Sequence, residues 1–115
     1  MILADTSVWI DHFRRGNARL AEQLEAGVIF CHPFVIGELA CGLLKSRHEV
    51  LTLLGELPQA RVLTDAEVLA FIEQHRLAGR GLGLIDVHLL GSSRLEGAEL
   101  FTLDRRLAQV ALRHR

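Results

Sequence analysis

The sequence predicts an α/β fold, in which helices cover both faces of a central parallel sheet of four strands. Short apolar runs, the first at Ile2–Ala4, alternate with longer segments whose apolar residues recur at helical spacing. Such alternation is typical of parallel strands joined by helical crossovers. A length of 115 residues suits one hydrophobic core and is too short for two domains. We therefore expect residues 1–115 to form a single domain.

The composition describes a globular chain with little charge bias. The residues are 50% hydrophobic and 23% charged, and the net charge of −1 argues against a strongly basic nucleic-acid-binding module. Arginines supply nearly all of the positive charge, so local positive patches remain compatible with this total. The chain lacks a signal-peptide pattern, a membrane-length apolar run and a C-x-x-C pair. We expect a cytoplasmic protein with no membrane partner.

The first half of the chain predicts two strands and four helices. Ile2–Ala4 is the first strand, and Ser7 is in a position to cap a helix that Gly16 ends. Pro33 suits the first turn of a later helix, because its missing N–H has no intrahelical partner there. The remaining elements are a helix at 18–26, a strand at 28–31, and helices at 33–46 and 47–56.

The second half predicts two more strands and three helices. Pro58 interrupts the helical pattern, and Thr64 with Glu67 forms the capping box of a new helix. Glycines at 79, 81 and 83 form a loop before the helical pattern returns. The predicted elements are a strand at 60–63, helices at 64–79 and 84–95, a strand at 99–103 and a helix from 104 to 115.

Four acidic residues stand apart from the others because apolar residues flank them: Asp5, Glu38, Asp86 and Asp104. A buried charge must be paired or bind a metal, since leaving it isolated is costly. Asp5 and Asp104 follow strands, and the ligand sites of open parallel sheets lie beyond the carboxyl ends of their strands. Asp86 follows the glycine loop and Glu38 lies one turn into its helix. We expect the four carboxylates to converge at one end of the sheet.

Each acid also has a structural interpretation when it is considered alone. Asp5 and Asp104 are in positions to cap the helices that follow them, and Asp86 is a first-turn acid that the helix dipole favours. Glu38 is harder to explain in this way, because it is the only charge within 33–44 and helix acids normally face solvent. The functional interpretation rests on the whole set.

A divalent cation between these carboxylates would allow all of them to remain ionised. Ligand sets made only of oxygen favour Mg²⁺ or Mn²⁺ over zinc. Such ions lower the pKa of a bound water molecule and stabilise charge on phosphoryl oxygens. The pattern therefore predicts Mg²⁺- or Mn²⁺-assisted hydrolysis of phosphodiester bonds.

The order of these motifs resembles the PIN domain, and most closely the VapC-type ribonuclease toxins of type II toxin–antitoxin pairs. The similarity extends over nearly the whole chain, and its four segments are Asp5–Asp11, Glu38–Leu39, Leu84–Leu90 and Thr102–Leu107. The resemblance implies a three-layer α/β/α fold. Family members usually add an edge strand after the last helix, whereas this sequence stops at Arg115. We therefore expect four strands, or five with a truncated last one.

The resemblance also implies a function. The four acids would bind Mg²⁺ or Mn²⁺, with Thr6 and Thr102 as polar supporters, and metal-activated water would cleave RNA to leave a 5′-phosphate and a 3′-hydroxyl. Members of the family commonly form homodimers and are silenced by a cognate antitoxin whose C-terminal segment lies in or near the acidic groove. Contacts to RNA phosphates or to the antitoxin would come from four arginines, for which a solvated surface role is an equal alternative: Arg14, Arg15, Arg105 and Arg106.

Two other classes of function compete with this interpretation. A receiver domain of two-component signalling is also a small α/β fold with an acidic Mg²⁺ site, but its paired acids and its lysine after the last strand are missing here, since Asp5 stands alone and Lys45 lies elsewhere. A non-catalytic binding protein could keep the PIN fold as an interaction surface. Retention of all four acids argues against the second alternative, because no purely structural role needs their convergence.

Overall fold

The chain is described by a computed structural model that covers residues 1–114. Helices and short strands alternate along it, and within these residues no helix is long and apolar enough to cross a membrane. In chain order the elements are β1 (Ile2–Ala4), α1 (Thr6–Arg15), α2 (Ala18–Glu25), β2 (Ile29–Phe30), α3 (Pro33–Cys41), α4 (Arg47–Glu56), α5 (Asp65–Gln74), α6 (Leu84–Leu95), β3 (Glu99–Phe101) and α7 (Arg105–Arg113).

The strands form a parallel sheet in the order β2-β1-β3. The central strand is β1, where Leu3 lies opposite Phe30 of β2 and Leu100 of β3. Because both neighbours run parallel to β1, the carboxyl ends of the strands meet at one edge of the sheet. Helix α1 follows β1, and α7 follows β3, so both helices begin at this edge. The sheet thus brings residues from opposite ends of the chain together.

The prediction of a strand at 60–63 is wrong, so the sheet has three strands within residues 1–114 instead of four. This segment joins the sheet edge next to β2 only through an isolated parallel bridge at Gln59. Beyond the bridge, the N–H of Arg61 donates to the carboxylate of Glu96 at 3.2 Å, and the hydroxyl of Ser92 donates to the Arg61 carbonyl at 2.7 Å. Side chains of α6 and the residue after it therefore engage the backbone groups that a strand partner would use. Within residues 1–114 no further strand follows α7.

Both faces of the sheet are buried. Successive side chains of β1 point to opposite faces, and Leu3 and Ala4 are both 0% exposed. One apolar cluster lies mainly against α1, α2 and α3, and a second lies among α5, α6 and α7. Leu100 of β3 packs against both clusters. This arrangement confirms the predicted α/β/α layering.

Helix α3 ends earlier than predicted. It stops at Cys41 instead of Ser46, because the backbone at Gly42 is extended. The guanidinium of Arg47 then donates to the carbonyls of Ala40 and Gly42, which satisfies acceptors at the end of the helix. The separate helix predicted at 47–56 is confirmed as α4.

Helix α5 begins as predicted and ends early. Thr64 and Glu67 form the expected reciprocal capping box. The helix stops at Gln74 instead of near Gly79, and the left-handed backbone of Arg76, with φ of 52°, turns the chain away. The last predicted helix is observed to residue 113, and residue 115 lies outside the described part of the chain.

A buried histidine anchors α3, the helix that carries Glu38. The Nδ1 atom of His32 accepts the N–H of Phe34 at 3.0 Å, which leaves Nε2 to donate to the hydroxyl of Ser92 in α6 at 3.1 Å. Burial lowers the pKa of His32 to about 4, and His88 contributes to the shift. The ring is therefore neutral at neutral pH, and it joins the N-terminus of α3 to the middle of α6.

Candidate active site

The carboxylate of Asp5 lies at the carboxyl end of β1 and caps α1. Its Oδ1 atom accepts the Ser7 hydroxyl at 2.5 Å and the N–H of Val8 at 3.2 Å, while Oδ2 accepts the Thr102 hydroxyl at 2.5 Å. The residue is only 5% exposed. The prediction that Ser7 caps α1 is wrong, because the strand ends at Ala4 and the extended Asp5 already occupies the capping position.

The environment of Asp5 disfavours its charged form. Burial raises the pKa of its carboxyl group, the hydrogen bonds from Ser7, Thr102 and Val8 lower the pKa in part, and the charge of Asp86 raises it again. Asp86 therefore lies close enough for electrostatic repulsion between the carboxylates. A positive ion near them would offset both the burial and the repulsion.

Two hydroxyl groups join the N-terminal part of the site to the C-terminal part. The Thr102 hydroxyl, which donates to Asp5, also accepts the N–H of Asp104 at 3.0 Å. The Ser7 hydroxyl accepts the N–H of Leu103 at 3.0 Å. Thr102, predicted as a polar supporter of the site, thus contacts Asp5 and the backbone of Asp104, whereas Ser7 was predicted only as a helix cap. The position of Ser7, two residues after Asp5, was the one sequence feature that could have indicated its contact with that acid.

Asp104 is the N-cap of α7. Its Oδ1 atom accepts the N–H groups of Arg106 and Leu107 at 2.9 and 3.2 Å. The residue is exposed, so the expectation of a buried charge at this position is wrong. The preceding residue, Leu103, also faces solvent and is 49% exposed, so the apolar neighbour does not cover the acid. The capping role is observed, and within residues 1–114 the structure shows no hydrogen bond to Oδ2.

Asp86 lies in the first turn of α6 and is partly exposed. Its Oδ2 atom accepts the N–H of Gly83 at 3.1 Å, which satisfies one free donor at the start of the helix. The helix itself begins and ends as predicted. Asp86 therefore combines a local structural role with a charge that helps to raise the pKa of Asp5.

Glu38 lies in the middle of α3, where it faces solvent. The hydroxyl of Thr6 donates to its Oε1 atom at 2.6 Å. The inference that this acid is buried is wrong: the neighbouring Gly37 is exposed as well, and the apolar residues of α3 pack on its other faces. Thr6 follows Asp5 directly in the chain, so its hydroxyl links Glu38 to the start of α1.

Hydroxyl groups link three of the four acids indirectly, whereas Asp86 accepts only the N–H of Gly83 and affects Asp5 through its charge. Thr6 joins Glu38 to the residue after Asp5, and Thr102 joins Asp5 to Asp104. Within residues 1–114 no three acid, histidine or cysteine side chains lie close enough to hold one metal ion. The carboxylates repel one another and accept local donors instead. Their chemistry, oxygen only, still fits Mg²⁺ or Mn²⁺.

Comparison with known proteins identifies the family. The sequence model of the PIN domain matches residues 2–112. The chain belongs to the PIN domain family. Two curated relatives, both named Ribonuclease VapC32, come from Mycobacterium tuberculosis strains CDC 1551 / Oshkosh and ATCC 25618 / H37Rv. Each is 54% identical over 108 residues, which cover 93% of this chain and 87% of the relative. The expected resemblance to VapC-type PIN domains is confirmed.

A solved structure supports the fold of this PIN domain independently. The crystal structure of PAE2754 from Pyrobaculum aerophilum aligns with a TM-score of 0.64 and covers 95% of this chain and 84% of that chain. The two share 18% sequence identity, so this similarity concerns the fold alone. Membership of the PIN family also excludes the receiver-domain alternative.

The two neighbouring arginines of α1, Arg14 and Arg15, have different surroundings. Arg15 forms an ion pair of 2.5 Å with Asp11, one helical turn away. Arg14 lines a small cavity that Glu38 also lines. Of this pair, Arg14 therefore lies nearer to a predicted site residue and Arg15 is engaged within its own helix.

The arginine pair on α7 lies next to Asp104. Arg105 and Arg106 line an open cavity of about 500 Å³ together with that acid. Both side chains belong to exposed residues in the first turn of the helix. The PIN domain thus presents two positive side chains beside Asp104.

Proposed function

We propose that this PIN domain is a ribonuclease that uses Mg²⁺ or Mn²⁺ to hydrolyse RNA phosphodiester bonds. The observation that carries the proposal is the buried Asp5 carboxylate, which lies at the carboxyl end of the central strand and is raised in pKa by burial and by Asp86. The 54% identity to proteins named Ribonuclease VapC32 supports the choice of RNA as substrate. Asp5 also caps α1, but Asp104 caps α7 while exposed, so capping alone does not require a buried carboxylate.

In this proposal Asp5, Glu38, Asp86 and Asp104 hold the metal. A bound divalent ion supplies positive charge for the phosphoryl group and makes a water molecule more acidic. The chain's own contribution is to orient the acids: Ser7 and Thr102 hold Asp5, and Thr6 holds Glu38.

We also propose that a cognate antitoxin covers the site and that the domain forms a homodimer in the cytoplasm. A cavity of about 150 Å³ beside Glu38 supports the first point, because Ile10, Phe13 and Leu43 line it and are exposed. An apolar segment could pack there next to the acid. Light scattering of the purified protein would test the dimer, and a monomer at micromolar concentration would contradict it.

Cleavage of a structured RNA tests the activity. We expect wild type to cleave with Mg²⁺ and not with EDTA. Asp5→Asn should lower the rate by about 100-fold or more, since one ligand of the ion loses its charge. Glu38→Gln should act in the same direction, whereas Glu25→Gln, the same change on the exposed face of α2, should leave the rate unchanged.

The competing function is a PIN-fold binding protein without catalysis. Equal cleavage by wild type and Asp5→Asn, or equal cleavage with Mg²⁺ and EDTA, would reject the proposed nuclease. Expression in a bacterial host adds a second readout. Growth arrest that Glu38→Gln relieves and Glu25→Gln does not would support an RNA-cleaving toxin, and arrest by all of these variants would favour the binding protein.

A further inference from the structure

The side chain of Arg106 lies directly against the backbone of Gly81. A Cβ atom built at Gly81 would lie 2.2 Å from Nη1 and 2.8 Å from Cδ of Arg106. Nη1 itself is 3.5 Å from the Gly81 carbonyl oxygen, to which it donates. Arg106 therefore occupies the volume that any other residue at position 81 would need. The glycine also has a φ of +77°, in the left-handed region.

The guanidinium of Arg106 keeps its positive charge available. The ion pairs within residues 1–114 involve Arg15, Arg19 and Arg61. Asp104, the adjacent acid, accepts the backbone N–H of Arg106 instead of its side chain. Arg106 is thus positioned by packing and by the long contact from Nη1 to Gly81, not by an acidic partner, and its other donors remain available for a ligand.

The position of this charge indicates what the ligand is. Arg106 and Asp104 line the same open cavity, whose other members are Gly81, Arg105 and Gln109. The first N–H groups of α7 are already capped by Asp104, so the anion-binding groups here are side chains and not the helix end. A guanidinium beside a metal-binding acid suits a phosphodiester, since its planar fork matches two phosphate oxygens.

We propose that Arg106, positioned by Gly81, binds a backbone phosphate of the RNA next to the bond that is cut. This inference rests on the proposed ribonuclease function and assigns it a specific substrate contact. The inference also distinguishes Arg106 from the other arginines of the chain. Arg15 forms an ion pair with Asp11, whereas Arg106 lies beside Asp104 and its guanidinium forms no ion pair within residues 1–114.

RNA binding without cleavage tests the contact. The Asp5→Asn background with EDTA prevents turnover, and fluorescence anisotropy of a labelled single-stranded RNA measures the dissociation constant. Loss of one phosphate contact should weaken binding roughly fourfold near 0.15 M salt and lower the slope of log K against log salt by about 0.7. Arg106→Ala should show both effects, and Arg106→Lys should restore much of the slope because it keeps the charge. Arg113→Ala, at the other end of α7, is the matched control.

A pair of glycine variants tests the positioning by Gly81. Gly79 and Gly81 have similar left-handed backbones, with φ of +74° and +77°, so alanine strains both alike. A Cβ atom at Gly79 would meet no atom within 4 Å, whereas one at Gly81 would displace Arg106. Gly81→Ala should therefore lower RNA affinity but keep much of the salt slope, because the displaced guanidinium keeps its charge, and adding Arg106→Ala to it should cost less affinity than Arg106→Ala costs the wild type. Gly79→Ala should bind normally.

The outcomes separate this inference from the proposed function. Normal RNA affinity and salt slope in Arg106→Ala, in a protein whose wild type cleaves RNA, would overturn the inference alone. Equal effects of Gly79→Ala and Gly81→Ala would overturn the role of Gly81. Weakened binding in Arg106→Ala with no RNA cleavage by wild type would overturn the nuclease and retain the phosphate contact.

Discussion

At the scale of single residues, the carboxylate of Asp5 is held by donors from both ends of the chain. Ser7 and Val8 donate to one oxygen and Thr102 to the other. These contacts fix the orientation of the group, yet they do not fully compensate for its burial, because the pKa remains raised. A residue that costs stability in the metal-free protein is typical of functional sites.

We predict that Asp5→Asn stabilises the metal-free protein at neutral pH. The raised pKa means that the folded protein binds the Asp5 proton more tightly than the unfolded chain does. The charged carboxylate therefore lowers stability above its raised pKa, and this cost disappears as pH falls below the ordinary value near 3.8. Asparagine removes the charge and can still accept hydrogen bonds from Ser7 and Val8.

Urea unfolding in EDTA measures this effect. Asp5→Asn should have a higher unfolding midpoint than wild type at pH 7, and the difference should shrink toward pH 4. The matched control is Asp65→Asn, an exposed first-turn acid of α5, whose loss should slightly destabilise the protein through the helix dipole. A lower midpoint for Asp5→Asn than for wild type at pH 7 would contradict the prediction.

The sequence predicted that Asp5 and Asp104 lie beyond the carboxyl ends of strands, because a short apolar run precedes each of them. It could not show that Ser7 and Thr102 share one carboxylate, since that contact joins positions 95 to 97 apart. The exposure of Glu38 was also missed. A helix hydrophobic on most sides hides which face it presents to solvent, and only its packing against α1 and α4 decides that.

At the scale of the elements, the segment before α5 packs closely against α6. A Cβ atom at Gly91 would lie 2.4 Å from Cδ1 of Leu63, which is buried in the second apolar cluster. The glycine therefore lets the segment before α5 approach the helix closely. This segment is the same one that failed to form the predicted strand, because α6 supplies hydrogen bonds to its backbone.

We predict that Gly91→Ala destabilises the protein by about 1–3 kcal/mol, because Leu63 must leave its packed rotamer. Gly55→Ala is the matched control in the last turn of α4, where an added Cβ atom meets nothing within 4 Å. That change should stabilise the protein by about 0.5–1 kcal/mol through helix propensity. Thermal unfolding of both variants checks the pair, and a stabilised Gly91→Ala would show that the contact relaxes freely.

Helix starts were easier to predict than helix ends. The capping box of α5 and the proline of α3 are local signals, and both mark their helices correctly. The early ends of these helices depend on Arg47, whose side chain returns to the end of α3, and on the left-handed Arg76. Neither conformation follows from a local pattern, since most residues at such positions would continue the helix.

At the scale of the whole molecule, the buried His32 makes stability depend on pH. Its pKa is lowered to about 4, below the value of 6.5 for the unfolded chain, so the folded protein binds the proton less tightly. This contribution to stability is present above pH 6.5 and is lost as pH falls toward 4. The loss between pH 7 and pH 5 should be about 2 kcal/mol.

Comparison with His32→Gln isolates this contribution, because other histidines with lowered pKa values titrate in the same range. Urea unfolding at pH 7, 6 and 5 should show a steeper decline for wild type than for the variant. His48→Gln, on the exposed surface of α4, should keep the wild-type slope. Parallel declines for wild type and His32→Gln would show that His32 is not the group responsible.

The order of the strands has a consequence for synthesis of the protein. The central strand is made before its neighbour β3, and the hydroxyl of Thr102 follows 97 positions after Asp5. A nascent chain therefore carries Asp5 with its local partners Ser7 and Val8 but without Thr102 until that later segment is made. The proposed nuclease would stay incomplete until then, so the order of synthesis delays the assembly of its site.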